Sequence, residues 1–483
     1  MNKNPRSLWV RDSISIPAFL IIWGGCFMAR IETRGVNLLR GNPENAVKKL
    51  AWPLMLSMIV VSLYSIIDSF WIAGLGVDQL AAIGFVVPLG YLIISIGTSL
   101  GAGITAVVSK YIGEKNDEMA DNAAIHSILL SILTSIIVTI IFSLFLRELI
   151  IFMGGRGIAL DYAMQYGRIY FLASIFVVMP EALYGLLSSE GDNKRTMYVL
   201  VLCAVVNMIL DPIFIYMLNM GILGAAIATI LSLAIVLMII LYWIYVKKDT
   251  YVKPTLDKFN YNQGIITDIL KVAVPATCEM ILITFITAIM HFIILEVSTT
   301  DYIAVFENGW RMVMLATEPM IAISTALVSI VAVNYGAKKY ENIKRAYNYS
   351  MKLGTLFGIA ALVIFIVFAP QLAYLFSYGE TSIRLLNPTT TFFRIFAGFF
   401  IVFPSGIIST YVFQGLGKGV HSLIFTIIRE LICATFFAVL FGIILDWGIN
   451  GVWFGVLVGY TVGGLIAIVY AKWYLGKIIV SKD

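Results

Sequence analysis

The chain has 483 residues, of which 60% are hydrophobic and 13% charged, with a formal net charge of +5. An average soluble domain carries roughly a quarter charged residues, so this chain cannot cover a water-facing surface of ordinary polarity. The composition excludes a soluble enzyme, a nucleic-acid-binding protein and a disordered scaffold, and it indicates a polytopic membrane protein.

Apolar stretches long enough to cross a bilayer recur through the whole sequence, since a helix needs about 20 such residues. They predict twelve transmembrane helices, with boundaries uncertain by about three residues. The predicted spans lie near residues 51–75, 79–110, 121–146, 163–188, 196–218, 221–246, 266–296, 301–335, 343–369, 385–412, 420–445 and 448–474.

The distribution of Lys and Arg predicts the orientation, because these residues concentrate in cytoplasmic connections. If the segment before the first span is cytoplasmic, most Lys and Arg fall on the inner side. The outer connections then hold only arginines, namely Arg147, Arg156, Arg168, Arg384 and Arg394. We therefore expect a multi-pass protein of the plasma membrane with both termini in the cytoplasm.

The first 40 residues are treated as an N-terminal extension. Residues 13–29 are apolar but short for a span, and they follow Lys3, Arg6 and Arg11, as in a signal peptide. Three readings stay open: a cleaved signal, a thirteenth helix, or a translation start at Met28. The last is favoured, because a thirteenth helix would place the first residues outside.

The two halves of the sequence repeat the same landmarks in the same order, 222 to 227 residues apart. Such a repeat of six helices gives both halves the same orientation, so their pseudo-twofold axis lies along the membrane normal, as in parallel-repeat transporters. The matching landmarks are Pro53 and Pro275, Gly113 and Gly336, Pro180 and Pro404, and Gly221 and Gly448.

The predicted fold is therefore all-α, with twelve transmembrane helices in two six-helix lobes. The N-lobe covers 41–246, a cytoplasmic linker 247–264, and the C-lobe with its cytoplasmic tail 265–483. Two such lobes enclose a central cleft, and their rocking gives alternating access. No Walker A sequence is present, so we expect a secondary transporter rather than an ATP-driven pump or an enzyme.

Ionisable side chains inside the membrane are costly, so each is a functional candidate. Asp68 and Asp211 are predicted about 10 Å below the outer ends of the first and fifth spans, and Thr229 lies at a similar depth, about 12 Å. Tyr64 and Asn207 precede the two aspartates by four residues and share their helix faces.

These five oxygen-bearing side chains are suited to one H⁺ or one Na⁺, since hard cations take oxygen ligands. Two carboxylates in a low dielectric cannot both ionise easily, so we expect at least one of them to load and release a proton near neutral pH. The repeat carries Asp68 onto Met290 or His291, and carries Asn207, Asp211 and Thr229 onto Ala434, Ala438 and Val456. The cation site is thus expected in the N-lobe alone.

The second half holds weaker candidates for substrate or charge recognition. Glu279 has no obvious local partner and is a second-rank candidate for cation recognition. Glu307 and Arg311 are four residues apart and are expected to form a structural ion pair. His291 is interpreted as a satisfied interior histidine. In the first span, Pro53 is expected to bend the helix that carries Asp68.

Several stretches resemble the multidrug and toxic compound extrusion (MATE) transporters, over about residues 41–475. They include the segment from Lys49 to Pro53, the segment from Tyr64 to Asp68, and the segment from Asn207 to Pro212, followed by the glycine-containing turn at Gly221. The aspartate of the first span together with Asn207 and Asp211 is similar to the archaeal, DNA-damage-inducible type branch.

The resemblance implies export of cationic or amphipathic organic compounds in exchange for H⁺ or Na⁺. It implies that Asp68, Asn207, Asp211 and Thr229 form the cation site, with Tyr64 beside it and Pro53 as the bend. Other branches place a key carboxylate in the seventh or tenth span. Here Glu279 is a loose match for the former, and the tenth span has no carboxylate.

The alternative function is a flippase for lipid-linked precursors or polysaccharide, disfavoured because such a cavity needs several basic residues. An intramembrane aspartyl protease is disfavoured because its Tyr-Asp and Gly-x-Gly-Asp motifs are absent. We expect small organic substrates and membrane lipids as partners, no nucleic acid, no cofactor beyond the coupling H⁺ or Na⁺, and a functional monomer.

Overall fold

The computed structural model describes residues 32–375 and 383–480, and within these ranges the chain forms helices and turns without a β-strand. The helices are α1 (Arg34–Arg40), α2 (Pro43–Ala73), α3 (Val77–Gly113), α4 (Asp117–Phe152), α5 (Gly157–Leu172), α6 (Ile175–Ser189), α7 (Asn193–Met217), α8 (Gly221–Lys247), α9 (Gln263–Val297), α10 (Thr300–Gly336), α11 (Tyr340–Val367), α12 (Ala369–Tyr374), α13 (Leu386–Phe396), α14 (Phe399–Gly415), α15 (Gly419–Ile444) and α16 (Gly448–Val480).

Ten of these helices are long and apolar enough to cross a membrane by themselves, and two bent pairs bring the number to twelve. The prediction of twelve spans is thereby confirmed. Large apolar side chains also cover the outside of the helices, among them Phe70 and Phe152, which are 80% and 86% exposed. Such a surface is suited to lipid rather than water.

The fourth and tenth predicted spans are each broken into two helices, which the hydropathy pattern did not indicate. The helices α5 and α6 meet at 48°, and α13 and α14 meet at 53°. In both cases a proline follows the break at the same distance, Pro180 after Ala173 and Pro404 after Ala397. Proline removes one backbone hydrogen bond from the helix, which weakens the turn before it.

The helices also extend beyond the predicted spans. The helix α2 begins at Pro43 rather than near residue 51, because Asn42 caps it: its side-chain oxygen accepts from the backbone N–H of Glu44 at 2.9 Å and of Asn45 at 3.4 Å. Hydropathy locates the membrane-crossing part of a helix, whereas the capping residue locates its end.

Residues with positive φ occur at matching positions of the two halves. Lys115 and Lys338 have φ of 57° and 58°, and Gly191 and Gly417 have 73° and 72°. Asn219 and Gly221 precede α8 just as Asp446 and Gly448 precede α16, all four with φ between 52° and 59°. The turns therefore reproduce the repeat predicted from the sequence.

Three hydrophobic cores show how the lobes are joined. Near the end that carries the linker between α8 and α9, one core combines both halves, with Leu50, Ile104, Leu327 and Ile408 among its members. Toward the opposite end the core splits into an N-lobe cluster and a C-lobe cluster that have no residue in common. The two lobes thus share one core at the linker end and have separate cores at the other.

Close packing of glycines joins the lobes at the linker end. A Cβ atom added at Gly113 of α3 would meet the carbonyl oxygen of Val333 on α10, and one added at Gly336 of α10 would meet the carbonyl oxygen of Lys110 on α3. The two glycines are the repeat landmarks of the sequence. Without side chains they let the backbones of α3 and α10 approach closely.

The linker is held against the N-lobe by side chains that accept from its backbone. Glu190 accepts from the N–H groups of Tyr251 and Val252 at 2.8 and 2.7 Å, and Asp121 accepts from that of Lys253 at 2.6 Å. Burial and the Asp117 carboxylate beside it raise the pKa of the Tyr251 hydroxyl.

Residues 34–40, within the expected N-terminal extension, form α1, and its Val36 and Leu39 are fully buried. Residues 1–31, to which the signal-peptide and start-site expectations apply, lie outside the described residues.

Candidate functional site

The predicted carboxylate pair lies in the N-lobe near the ends of α2 and α7. Asp68 precedes the end of α2 by five residues and Asp211 precedes the end of α7 by six, so both lie about 8 to 9 Å from those ends. Asp211 is fully buried, and Asp68 is partly exposed. Residues 143 positions apart in the chain are thereby brought to one depth.

Asn207 is the centre of the hydrogen bonds around this pair. With its amide oriented to match its neighbours, its nitrogen donates to Asp211 Oδ2 and to the Tyr64 hydroxyl, both at 2.7 Å. Its oxygen accepts from the backbone N–H of Thr229 at 3.1 Å. One buried amide thus connects α2, α7 and α8, and four of the five predicted residues meet there.

The second oxygen of Asp211, Oδ1, is buried and has no hydrogen-bond donor among the described side chains. The carboxyl group of Asp68 lies beside that of Asp211. Ionised carboxylates only accept hydrogen bonds, so two of them form such a bond only when one carries a proton. A proton or a cation between the two carboxyl groups would satisfy both of them.

Tyr166 of α5 belongs to the same cluster and was missed by the sequence analysis. Its hydroxyl lies beside the Thr229 side chain and close to both aspartates. The chain has 24 tyrosines, and nothing in the spacing around Tyr166 relates it to Asp68 or Asp211. Its role becomes visible only when α5 packs on α8.

The backbone changes its pitch directly after Asp211. Pro212 is followed by a π-helical turn, Ile213–Met217, which ends α7. Since proline has no N–H group, a backbone hydrogen bond is missing at this point, and π-helical turns are frequent at functional sites. The tyrosine of this turn, Tyr216, donates its hydroxyl to the backbone oxygen of Trp71 on α2. The ends of α2 and α7 are thereby fastened together.

The corresponding region of the C-lobe is apolar. Met290, Ala434, Ala438 and Val456, onto which the repeat carries the polar residues of the pair, are buried in the C-lobe core. A carboxylate pair of this kind therefore has no counterpart at the matching positions. The molecule is duplicated in its backbone but not in its ionisable groups.

Two further membrane carboxylates lie closer to the middle of the molecule. Glu181 of α6 accepts from the Thr98 hydroxyl of α3 at 3.0 Å. Glu318 of α10 accepts from the Ser62 hydroxyl of α2 at 3.2 Å, which is a contact between the two lobes. Ser62 lies on the same helix as Asp68, so α2 touches the C-lobe through its middle.

The expected ion pair between Glu307 and Arg311 is not formed, and this prediction was wrong. Glu307 of α10 is instead paired with His291 of α9, with Nε2 and Oε1 2.8 Å apart. His291 approaches from the neighbouring helix, whereas Arg311 lies one turn along α10 and is exposed. The His291 side chain is 32% exposed and that of Glu307 45%, so His291 is not an interior residue.

Glu279 lies in a buried charged cluster of the C-lobe rather than alone. Its neighbours are Ser422, Arg429 and Glu430, and Arg429 and Glu430 form an ion pair at 2.7 Å on a π-helical turn of α15. Arg429 also lies 5.7 Å from the centre of the Tyr460 ring. The cluster is inside the lobe, with Glu279 5% exposed.

Pro53 lies within α2, which continues as a helix through it. Nearby, the side chain of Asn193 at the start of α7 donates to the backbone oxygen of Leu50 at 3.0 Å. This contact joins the same two helices that carry Asp68 and Asp211.

Among the described residues, no group of three or more His, Cys, Asp or Glu side chains is arranged to hold a metal ion.

Comparison with known proteins identifies relatives along most of the chain. The MatE family model matches twice, at residues 53–213 and 275–440, and these two starts are the prolines of the predicted repeat. An FAD transporter of Shewanella oneidensis is 25% identical over 344 residues, which is 70% of this chain and 75% of the relative. The multidrug export protein MepA of Staphylococcus aureus is 22% identical over 87% of this chain and 92% of its own length.

A solved structure resembles the whole described fold. It is that of a MOP superfamily transporter from Pyrococcus furiosus, described as having a binding pocket of reverse polarity that suggests a different function. The TM-score is 0.90 at 34% sequence identity, over 92% of this chain and 99% of that chain. The chain therefore belongs to the MatE family, the multidrug and toxic compound extrusion transporters, which are secondary transporters and not enzymes.

Proposed function

We propose that this transporter exports organic compounds, cationic or amphipathic in character, in exchange for H⁺ or Na⁺ that binds at Asp68 and Asp211. The observation that carries the proposal is the buried amide of Asn207, which joins Asp211, Tyr64 and Thr229, with Asp68 beside Asp211. The relatives named as multidrug and FAD transporters support the export of organic compounds. The flippase alternative finds no support in their names.

The orientation is part of the proposal. The linker end carries most of the Lys and Arg of the chain, which favours a cytoplasmic position. The separated outer cores then lie on the external side, so the cleft opens outward and both termini lie in the cytoplasm. The carboxylate pair, near the outer ends of α2 and α7, is accessible to cations from outside in this state.

The protonated contact describes one step of the exchange. With one proton between them, the carboxyls lie against each other and α2 is held to α7. Loss of that proton leaves two negative charges in a low dielectric, which repel each other or require Na⁺ between them. The helix α2 also contacts the C-lobe through Ser62 and Glu318. A change in how α2 packs at Asp68 and Asp211 therefore also affects this contact with the other lobe. Pro53 is the proposed bending point of α2.

The driving force is adequate for export. One charge that moves through 100 mV supplies about 2.3 kcal/mol, enough for a substrate gradient of about fifty-fold.

We further propose that the protein acts as a monomer in the plasma membrane. The 34% identity to the transporter of Pyrococcus furiosus supports the archaeal type branch.

The proposal is tested by efflux of a cationic dye from proteoliposomes under an imposed pH gradient, an imposed Na⁺ gradient, or neither. Wild type is expected to respond to one of the gradients, which also identifies the ion. Asp68→Asn and Asp211→Asn are expected to lower gradient-driven efflux at least tenfold, because an amide cannot bind and release the cation.

The matched control is Asp161→Asn, which removes an exposed carboxylate from α5 and is expected to leave efflux unchanged. Gradient-driven efflux that persists in both site variants would refute the cation site. Efflux by wild type that ignores both gradients would refute coupled transport altogether.

A further inference from the structure

Three charged residues of α10, Glu307, Arg311 and Glu318, form a stripe along one side of the helix. At 100° per residue they fall within about 40° of one another. The buried residues of the same part of α10, among them Phe306, Gly309, Val313 and Met320, lie on the opposite side. The charged stripe therefore points away from the C-lobe core.

The stripe faces the cleft between the lobes. Its inner end, Glu318, contacts Ser62 of α2 in the N-lobe, and this contact fixes the direction of the whole stripe. Arg311 and Glu307 follow toward the outer end of α10, where the cores of the two lobes are separate. Half-exposed charges in a membrane span are tolerated where they line a water-filled cavity. Glu307 and Arg311 are thus placed to line such a cavity from the C-lobe side.

The two charges are held differently. Glu307 accepts from His291 at 2.8 Å, and the His291 ring lies edge-on against Phe306, 6.0 Å between centres. Phe306 in turn stacks on Trp453 at 5.9 Å and on Trp310 at 5.8 Å. Arg311 forms no ion pair with any described residue and is exposed. The C-lobe side therefore presents the Glu307 carboxylate, held in place by His291, and the Arg311 guanidinium, which has no ion-pair partner among the described residues.

We infer that Glu307 and Arg311 select substrates that carry both a protonated amine and an anionic group. The two positions are four residues apart, about 6 Å along the helix, so one compound that carries both charges can reach both side chains. The guanidinium binds a carboxylate through two parallel N–H groups, and the Glu307 carboxylate accepts from the amine. A purely cationic compound leaves Arg311 without a partner and places a like charge beside it.

This inference names the substrate class of the proposed exporter and so rests on that function, but its test does not use a gradient. Binding of two dyes to purified protein is measured by fluorescence anisotropy at one pH and one Na⁺ concentration. The dyes are a rhodamine free acid, which carries both charges, and its methyl ester, which is a cation of nearly the same shape. Wild type is expected to bind the free acid more tightly than the ester.

Arg311→Gln is expected to weaken binding of the free acid about tenfold and leave the ester unchanged or tighter, because one charge-assisted interaction is lost. Arg311→Lys retains the charge but not the paired N–H groups, and it is expected to weaken binding of the free acid less than Arg311→Gln does. Glu307→Gln is expected to weaken binding of both dyes, because both carry a positive charge. Arg147→Gln, which removes an exposed arginine from the outer part of α4, is the matched control and is expected to bind both dyes as wild type does.

The binding measurements can contradict the proposed role of Glu307 and Arg311 independently of the efflux measurements. The inference is wrong if wild type does not bind the free acid more tightly than the ester. It is also wrong if Arg311→Gln weakens binding of both dyes equally or of neither. Gradient-driven efflux in proteoliposomes can persist in either case, since that result depends on Asp68 and Asp211. Conversely, loss of coupling in efflux with the dye preference intact would refute the cation site and leave the substrate class standing.

Discussion

At the scale of single residues, Asn207 connects three helices of the N-lobe through one amide group. Both of its donor directions and its oxygen are used, by Asp211, Tyr64 and Thr229. The sequence predicted this residue because the four-residue spacing to Asp211 places both on one helix face. Tyr166 gave no such signal, because it approaches from α5, and the distance between two helices is not encoded in a spacing within either.

Replacing Asn207 by leucine, which is similar in size, removes these three hydrogen bonds. We expect the free energy of unfolding to fall by about 1 to 3 kcal/mol, because Asp211 and the Tyr64 hydroxyl lose the N–H group that donates to them. Gradient-driven dye efflux is expected to fall with it. Thermal unfolding in detergent and efflux from proteoliposomes measure the two effects.

The control for this substitution is Asn387→Ala, at an exposed position near the start of α13, where the thermal midpoint and the efflux rate are expected to match wild type. An Asn207→Leu protein with wild-type stability and wild-type efflux would show that the amide does not organise the pair.

At the scale of helices, the sequence predicted where the chain crosses the membrane but not where two of the spans break. A break such as that between α5 and α6 depends on a proline six or more residues further on and on the packing of α6 against α3, which hydropathy does not report. The pairing of Glu307 with His291 was missed for the same reason, because α9 and α10 are antiparallel neighbours and the contact joins residues 16 apart.

The glycine contacts between α3 and α10 at the linker end give a prediction for these helices. In Gly113→Ala the new Cβ meets the Val333 carbonyl, so the outward-open state is expected to lose about 1 to 3 kcal/mol, as in other overpacked sites. The linker end should then open more often, which is measured by the distance between spin labels placed on α3 and α10 at that end.

Gly476→Ala is the matched control, since nothing lies within 4 Å of the added Cβ and alanine favours a helix more than glycine does. It is expected to keep the wild-type distance distribution. The same distribution in Gly113→Ala as in wild type would mean that the close approach of α3 and α10 does not hold the linker end closed.

At the scale of the whole molecule, the chain is a duplicated backbone with an unequal distribution of charges. The repeat was predictable because prolines and turn glycines recur at one separation, and the positive-φ residues follow it. The asymmetry was predictable too, since the polar residues of the N-lobe map onto apolar residues of the C-lobe. The separation of the lobes at one end was not, because it depends on which side chains share a core.

This asymmetry divides the proposed work between the lobes. The N-lobe holds the cation between Asp68 and Asp211, and the C-lobe wall holds the substrate at Glu307 and Arg311. The helix α2 reaches from the pair to Glu318 of α10, and so it connects the two. Exchange then requires that binding at one wall lowers affinity at the other.

The most direct test of the central claim is proton release on substrate binding. Purified protein in weakly buffered, Na⁺-free detergent solution is mixed with substrate dye, and the pH change is recorded. Wild type and Asp161→Asn are expected to release protons in step with binding, because the pair gives up its shared proton, whereas Asp68→Asn and Asp211→Asn bind dye without release. Release that persists in both site variants, or its absence in wild type despite binding, would contradict the account.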